Sequence, residues 1–276
     1  MSDKIEIQTI GLRKSFSDNL VLNGVDLSIY EGDTVAIVGG SGCGKTVLMN
    51  LILGQLKPDS GEIFVIDHDK SDLPFCKLSE VDEFELDNLH KHWGVVFQRN
   101  ALFSGTVYEN IALWLKEVRA MTDKEILPIA RKSLESVSLP SDDEFLYMDH
   151  DQLSGGMAKR LAVARALAMK PVVLFYDEPT TGLDPTSSAQ IHDLIFATHN
   201  EILPAGMTRT TIIITHDKDL LSRLQPRTIM LHGGKVFFDG SFDGFKKSRS
   251  KIIRPYFDLM PVLHKRDPGL GVRGSE

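Results

Sequence analysis

The run Gly39-Gly40-Ser41-Gly42-Cys43-Gly44-Lys45-Thr46 constrains this chain more than any other feature. It fits G-x-x-x-x-G-K-[ST] in full, and it stands where that pattern has physical meaning. Residues 34–38 ahead of it are short, apolar and β-branched. Residues 45–56 behind it place Val47, Leu48, Leu51 and Ile52 at helical spacing. The order is strand, glycine loop, helix. Glycines let such a loop turn its backbone N–H groups inward toward an anion. The helix start presents its positive end to the same place. In this pattern Lys45 reaches for terminal phosphates and the Thr46 hydroxyl for Mg²⁺. Cys43 fills a free position and reads as loop backbone, not as a redox centre.

Further strands are expected at 5–10, 94–97, 172–176, 211–215 and 228–231, the first of them half-exposed. Helical spacing recurs at 108–115, 124–137, 155–169 and 187–202. Strands alternating with helices predict an α/β core with a mainly parallel sheet. The stretch from about 99 to 165 has no convincing strand and reads as a helical lobe inserted into the sheet domain. From about 246 onward, Pro255, Pro261 and Pro268 with Gly269, Gly271 and Gly274 predict an extended tail.

Composition removes several classes. A net charge of -7 argues against general nucleic-acid binding. The longest apolar runs, 111–115 and 172–176, have five residues, against about 20 for a membrane-spanning helix. The first ten residues carry charges and no apolar run, which reads as no export signal. Work at a membrane would then go through a partner. Cys43 and Cys76 are too few and too far apart for a metal pattern or a disulfide framework, which fits a reducing compartment.

Two more runs carry chemistry. Residues 172–176 form an apolar strand that ends in Asp177 and Glu178. Such a strand delivers its last carboxylates to the sheet's carboxyl end, beside the glycine loop, where ligands gather. One acid can hold Mg²⁺ through water and the next can polarise an attacking water. Leu153-Ser154-Gly155-Gly156-Met157 opens a helix, with Ser154 as a good N-cap. In isolation either run would pass for an ordinary capped turn.

Together the three runs resemble the ABC ATPase family, with 153–157 similar to its signature motif. Phe16 resembles the aromatic that stacks on adenine, Gln98 the Q-loop glutamine, Gly182-Leu183-Asp184 the D-loop and His216 the switch histidine. The order holds across residues 5–245. The resemblance implies an ABC ATPase domain over 1–245: a mainly parallel sheet, an N-terminal antiparallel β region and an inserted helical subdomain. It implies an ATP hydrolase. The nucleotide would lie against Phe16, Gly39, Ser41, Gly42, Cys43, Gly44, Lys45, Thr46 and Val47. Ser154, Gly155, Gly156 and Asp184 would complete the contact, Ser154 and Gly156 coming from a second copy of the chain. Mg²⁺ would be held by Thr46, Gln98 and Asp177, with catalysis by Glu178, His216 and Gln98. A kinase or GTPase built on the same loop has no use for 153–157. A soluble ABC ATPase acting on nucleic acid usually carries two cassettes.

Met157 stands where the family usually has glutamine, and Val47 where threonine or serine is commoner. With the run 176–185, these departures resemble the MlaF/Mkl group, which energises MCE-associated phospholipid transport. That resemblance implies a homodimer under an MlaE-type permease, at the cytoplasmic face of the bacterial inner membrane. An MCE-domain protein and, in some systems, a STAS-domain subunit would join it. An ABC ATPase for another substrate is the alternative. Two charged stretches remain. Residues 67–90 hold eight acids and read as a solvated insertion. Residues 246–276 hold eight bases beside Ile252, Ile253, Tyr256 and Phe257, and read as a subunit or complex contact.

Overall fold

The computed structural model describes residues 4–70, 72, 75–201, 203 and 208–261. The chain starts with a long hairpin, β1 (Ile5–Phe16) and β2 (Asn19–Tyr30), paired antiparallel. Alternation buries Leu22, Val25, Leu27 and Ile29 of β2 and leaves its other face polar. Next come β3 (Thr34–Val38) and α1 (Lys45–Ile52). β4 (Ser60–Ile66) pairs with β1, and β5 (Phe75–Lys77) pairs with β4, both antiparallel. The acidic stretch then forms α2 (Glu83–His90), started by a capping box between Asp82 and Glu85. β6 (Trp93–Val96) returns the chain to the core.

Four helices follow without an intervening strand among the described residues: α3 (Val107–Arg119), α4 (Asp123–Ser136), α5 (Asp143–Leu146) and α6 (Gly155–Ala168). Capping boxes at Thr106/Glu109 and Thr122/Glu125 set the starts of α3 and α4. Then the strand–helix alternation resumes with β7 (Val173–Asp177), α7 (Pro185–His199), β8 (Thr210–Ile214), α8 (Lys218–Leu224), β9 (Arg227–His232) and β10 (Lys235–Ser241). The chain ends in α9 (Phe242–Lys247) and α10 (Ile253–Leu259).

Among the described residues the strands form a four-stranded sheet, β2-β1-β4-β5, and a six-stranded sheet, β10-β9-β3-β8-β7-β6. In the larger sheet every pairing is parallel except that of edge strand β10. Strands β7 and β8 are buried at every position, as a parallel sheet covered on both faces requires. One face packs Leu174, Tyr176 and Ile213 against Ile111, Leu134 and Leu161 of the helical lobe. The other packs Ile37, Phe175 and Ile214 against Leu48, Leu51 and the β1–β2 hairpin. Each such side chain contributes about 1.5–3 kcal/mol of burial free energy.

The C-terminal expectation needs correction. Residues 246–261 are not extended: α10 buries Ile253 and Phe257, and Met260 after it, against Ala36, Val38, Leu221 and Met230. Pro255 is tolerated because it falls in the first turn, where an N–H has no helical partner. Residues 262–276 of the expected tail lie outside the described residues, as does Ile202 at the end of the expected helix 187–202. No described helix is long and apolar enough to cross a membrane.

Candidate active site

The parallel sheet aims the carboxyl ends of β3, β7 and β8 at one edge, and the chemistry-bearing residues follow those ends. After β3 the chain turns through Gly39–Gly44 into α1. Gly44 caps α1 with φ +98° and no side-chain acceptor, and no acid sits in the first turn. The first N–H groups therefore face outward for an anion. Gly42, Cys43, Gly44, Lys45, Thr46 and Val47 line a cleft of about 300 Å³ with Asn19 and Val21. Gly39 sits behind that lining at φ +149°, so close to its surroundings that a Cβ would fall 2.5 Å from the Leu231 carbonyl oxygen. Lys45 Nζ donates to the carbonyls of Gly39 at 2.8 Å and Gly40 at 3.1 Å. The Ser41 side chain lies exposed beside them. Phe16, at the end of β1, is exposed and pairs across the turn with Asn19, at the rim of the cleft.

β7 ends in Asp177, which is 5% exposed and has a buried Oδ1 with no hydrogen-bond partner. Burial, and next the Glu178 charge, push its carboxyl pKa up, while Lys45 and Lys159 pull it down. An orphaned, buried carboxylate oxygen is costly unless something polar meets it. A cation with its water shell suits that donor set, so the residues fit Mg²⁺. Glu178 follows at φ +45°, its N–H donating to the Ile214 carbonyl at 2.8 Å. His216, just beyond β8, donates from Nδ1 to Glu178 Oε2 at 2.8 Å. That bond raises the imidazole pKa above its ordinary value, with burial opposing.

Gln98 lies exposed just after β6, with its backbone held from below. Lys159 Nζ, on α6, donates to the Phe97 carbonyl at 3.1 Å and the Gln98 carbonyl at 2.8 Å. Lys159 is only 2% exposed, and burial lowers its pKa to about 8. Two turns on, Arg165 donates to the Ala101 carbonyl at 2.8 Å. The helix that starts at Ser154 thus grips the segment 97–101 with two buried cations.

Ser154 N-caps α6, its Oγ accepting from the Met157 N–H at 3.3 Å. Gly156 approaches the start of α7 so closely that a Cβ would lie 2.7 Å from Ser187 Oγ. Asp184 N-caps α7 and accepts from the Ser187 N–H at 3.0 Å. Gly155 is exposed. The structure therefore gathers Lys45, Asp177, Glu178 and His216 at one sheet edge. It gathers Ser154, Gly155, Gly156 and Asp184 separately, and none of these four lines the loop cleft.

Sequence reasoning missed three parts of this site. Lys159 is one; its signal is a helix apolar nearly all round, in which any cation must find a buried partner. The second is a network on Asp217, which is 2% exposed. It accepts from His192 Nε2 at 2.7 Å and Thr180 Oγ1 at 2.9 Å, and caps α8 through the Asp219 and Leu220 N–H groups. Burial works against the Asp217 carboxylate, but these donors hold its pKa below the usual value. The third is Tyr256, whose hydroxyl accepts from the Gly39 N–H at 3.0 Å.

Known proteins resemble this chain in sequence and in fold. A family profile described as ABC transporter matches residues 22–181, more than half of the chain. The protein TRIGALACTOSYLDIACYLGLYCEROL 3, chloroplastic, of Arabidopsis thaliana is 32% identical over 88% of this chain and 70% of its own length. The intermembrane phospholipid transport system ATP-binding protein MlaF of Haemophilus influenzae is 31% identical over 89% of this chain and 86% of its own. The methionine import ATP-binding protein MetN of Rhodopseudomonas palustris is 33% identical over 88% of this chain and 62% of its own. The dimeric ATP-binding cassette MJ0796, solved with ADP and Pi, superposes at a TM-score of 0.71 and 30% identity, over 85% of this chain and 98% of that one. The chain belongs to the ABC transporter family, as an ATP-hydrolysing, nucleotide-binding subunit.

Proposed function

We propose that this subunit drives phospholipid movement between bacterial membranes. It works as a homodimer on the cytoplasmic face of the inner membrane, beneath an MlaE-type permease and with an MCE-domain protein. A STAS-domain accessory subunit fits the same reading. The observation that carries it is Met157 in the motif 153–157, together with 31–32% identity to MlaF and to a chloroplast protein named for a glycolipid. The 33% identity to MetN favours a second reading, an importer ATPase for a small polar solute.

The site supports a composite mechanism. Gly39, Ser41, Gly42, Cys43, Gly44, Lys45, Thr46 and Val47 cradle the phosphates, and Phe16 meets the adenine. Thr46, Gln98 and Asp177 hold Mg²⁺, which when bound supplies charge neutralisation at the phosphates. Glu178 orients the attacking water, and His216, fixed by Glu178, faces the γ-phosphate. Ser154 and Gly156 complete the site from a second copy of the chain, with Gly155 and Asp184 beside them. The similarity to the dimeric cassette MJ0796 favours a dimer. Rate comes from positioning and charge, since the protein needs no covalent step.

The permease has a seat of suitable chemistry. Between α2, β6 and α3 lies a cleft of about 640 Å³, lined by Phe84, Trp93, Phe103 and Trp114 among others. Phe84 is 74% exposed and Trp114 48%, as a surface awaiting a partner would be. Purification of the chain from its native membranes in mild detergent, with bound proteins and lipids identified by mass spectrometry, tests the reading. An MlaE-type permease with phospholipid supports it. A solute permease and no MCE protein would replace it with the importer reading.

A further inference from the structure

The phosphate loop is held from a direction that the family match does not cover. Residues 22–181 match the family profile, yet a hydrogen bond to the first glycine of the loop comes from residue 256. Val38, the last residue of β3, still pairs with Met230 of β9. Gly39 is past the ladder, so its N–H needs an acceptor from elsewhere. Tyr256 Oη supplies it at 3.0 Å.

The hydroxyl is well anchored. Ile253 and Phe257 on either side of it are buried in the cluster that contains Val38 and Met230. The Lys218 ammonium lies 4.3 Å from the Phe257 ring centroid, and the Lys218 N–H donates to the Pro261 carbonyl at 3.4 Å. Helix α10 therefore joins the phosphate loop to α8, which starts two residues after His216. On its carbonyl side Gly39 is held by Lys45 Nζ. A bound phosphate competes for that ammonium, whereas the Tyr256 bond comes from the opposite side of the glycine.

We propose that Tyr256 is a positioning residue of the ATP site, its hydroxyl fixing the first glycine of the phosphate loop from the C-terminal helix. This rests on the reading of residues 39–46 as the phosphate loop. A loop that binds through backbone N–H groups gains affinity when their directions are set in advance. The hydroxyl sets one end of the loop, and the ring's packing holds the hydroxyl.

Tyr256→Phe removes one oxygen and keeps the ring, so the full-length chain should fold. Its affinity for MgADP, measured by calorimetry, should fall about three- to tenfold, the worth of one neutral hydrogen bond. Melting of the protein without nucleotide should fall far less than in Phe257→Ala, since one hydrogen bond and no packing is lost. Equal MgADP affinity in the two proteins would overturn the proposal. So would a loss of affinity accompanied by a fall in melting temperature as large as that of Phe257→Ala, since the hydroxyl would then serve the fold alone. Lys45→Ala tests the phosphate loop separately: undiminished MgADP binding there removes the foundation, whatever Tyr256→Phe does.

Discussion

At the scale of single residues, Glu178 is where backbone and charge are set most deliberately. Its φ of +45° lies in a region that costs a non-glycine residue on the order of 1 kcal/mol. The cost places its carboxylate against His216. Because that contact raises the imidazole pKa, the stabilisation is full below the ordinary histidine value and fades as pH rises through the raised one. About half of the His216 side chain is exposed, so solvent screening keeps the effect small. Between about pH 6 and pH 9 the wild type should lose more thermal stability than His216→Ala does. Equal losses would mean that the pair contributes nothing. Taking the difference between the two proteins cancels other groups, Lys159 included. Lys45, Asp177, Glu178 and His216 were legible in sequence because each lies at or just past the carboxyl end of a strand, or at the start of the helix after one. Their pairing was not, since it depends on β7 and β8 being neighbours in the sheet.

At the scale of elements, α6 does two jobs with one set of residues. Its start carries the motif 153–157, and its body grips segment 97–101 through Lys159 and Arg165. Lys159→Met should leave the Phe97 and Gln98 carbonyls without a donor, costing about 1–3 kcal/mol in a urea titration. Lys159→Arg should recover part of it. A Met variant as stable as the wild type would show that water serves those carbonyls instead. Long helices with a clear 3.6-residue period were readable to within a few residues. Three short ones were not: α2, α5 and α8 each show only one or two buried apolar side chains, too few for a period to emerge. α10 was hidden for a different reason. Its Pro255 and the prolines after it read as punctuation, while its buried face answers to partners far away in sequence.

At the scale of the whole molecule, the proposed two-chain site would make dimerisation part of the chemistry. Glu178→Gln should keep the loop and lose steady-state turnover. With MgATP it should sediment as a dimer, because the closed state is no longer discharged. A monomer under those conditions, with nucleotide bound, would refute the two-chain site. The sequence disclosed the class of fold through its glycine loop and its strand–helix alternation. It could not disclose the four-stranded sheet in full, since β5 has only three residues and the pairing of β4 with β1 depends on residues far apart in sequence. One last property follows from the large cleft between α2, β6 and α3. The chain has two tryptophans, Trp93 and Trp114, and both line it. Trp93 is 6% exposed and Trp114 48%, so their emission differs in colour and in access to quenchers. The protein thus carries its own optical gauge of whatever settles there, with no label to attach and no other indole to obscure the signal.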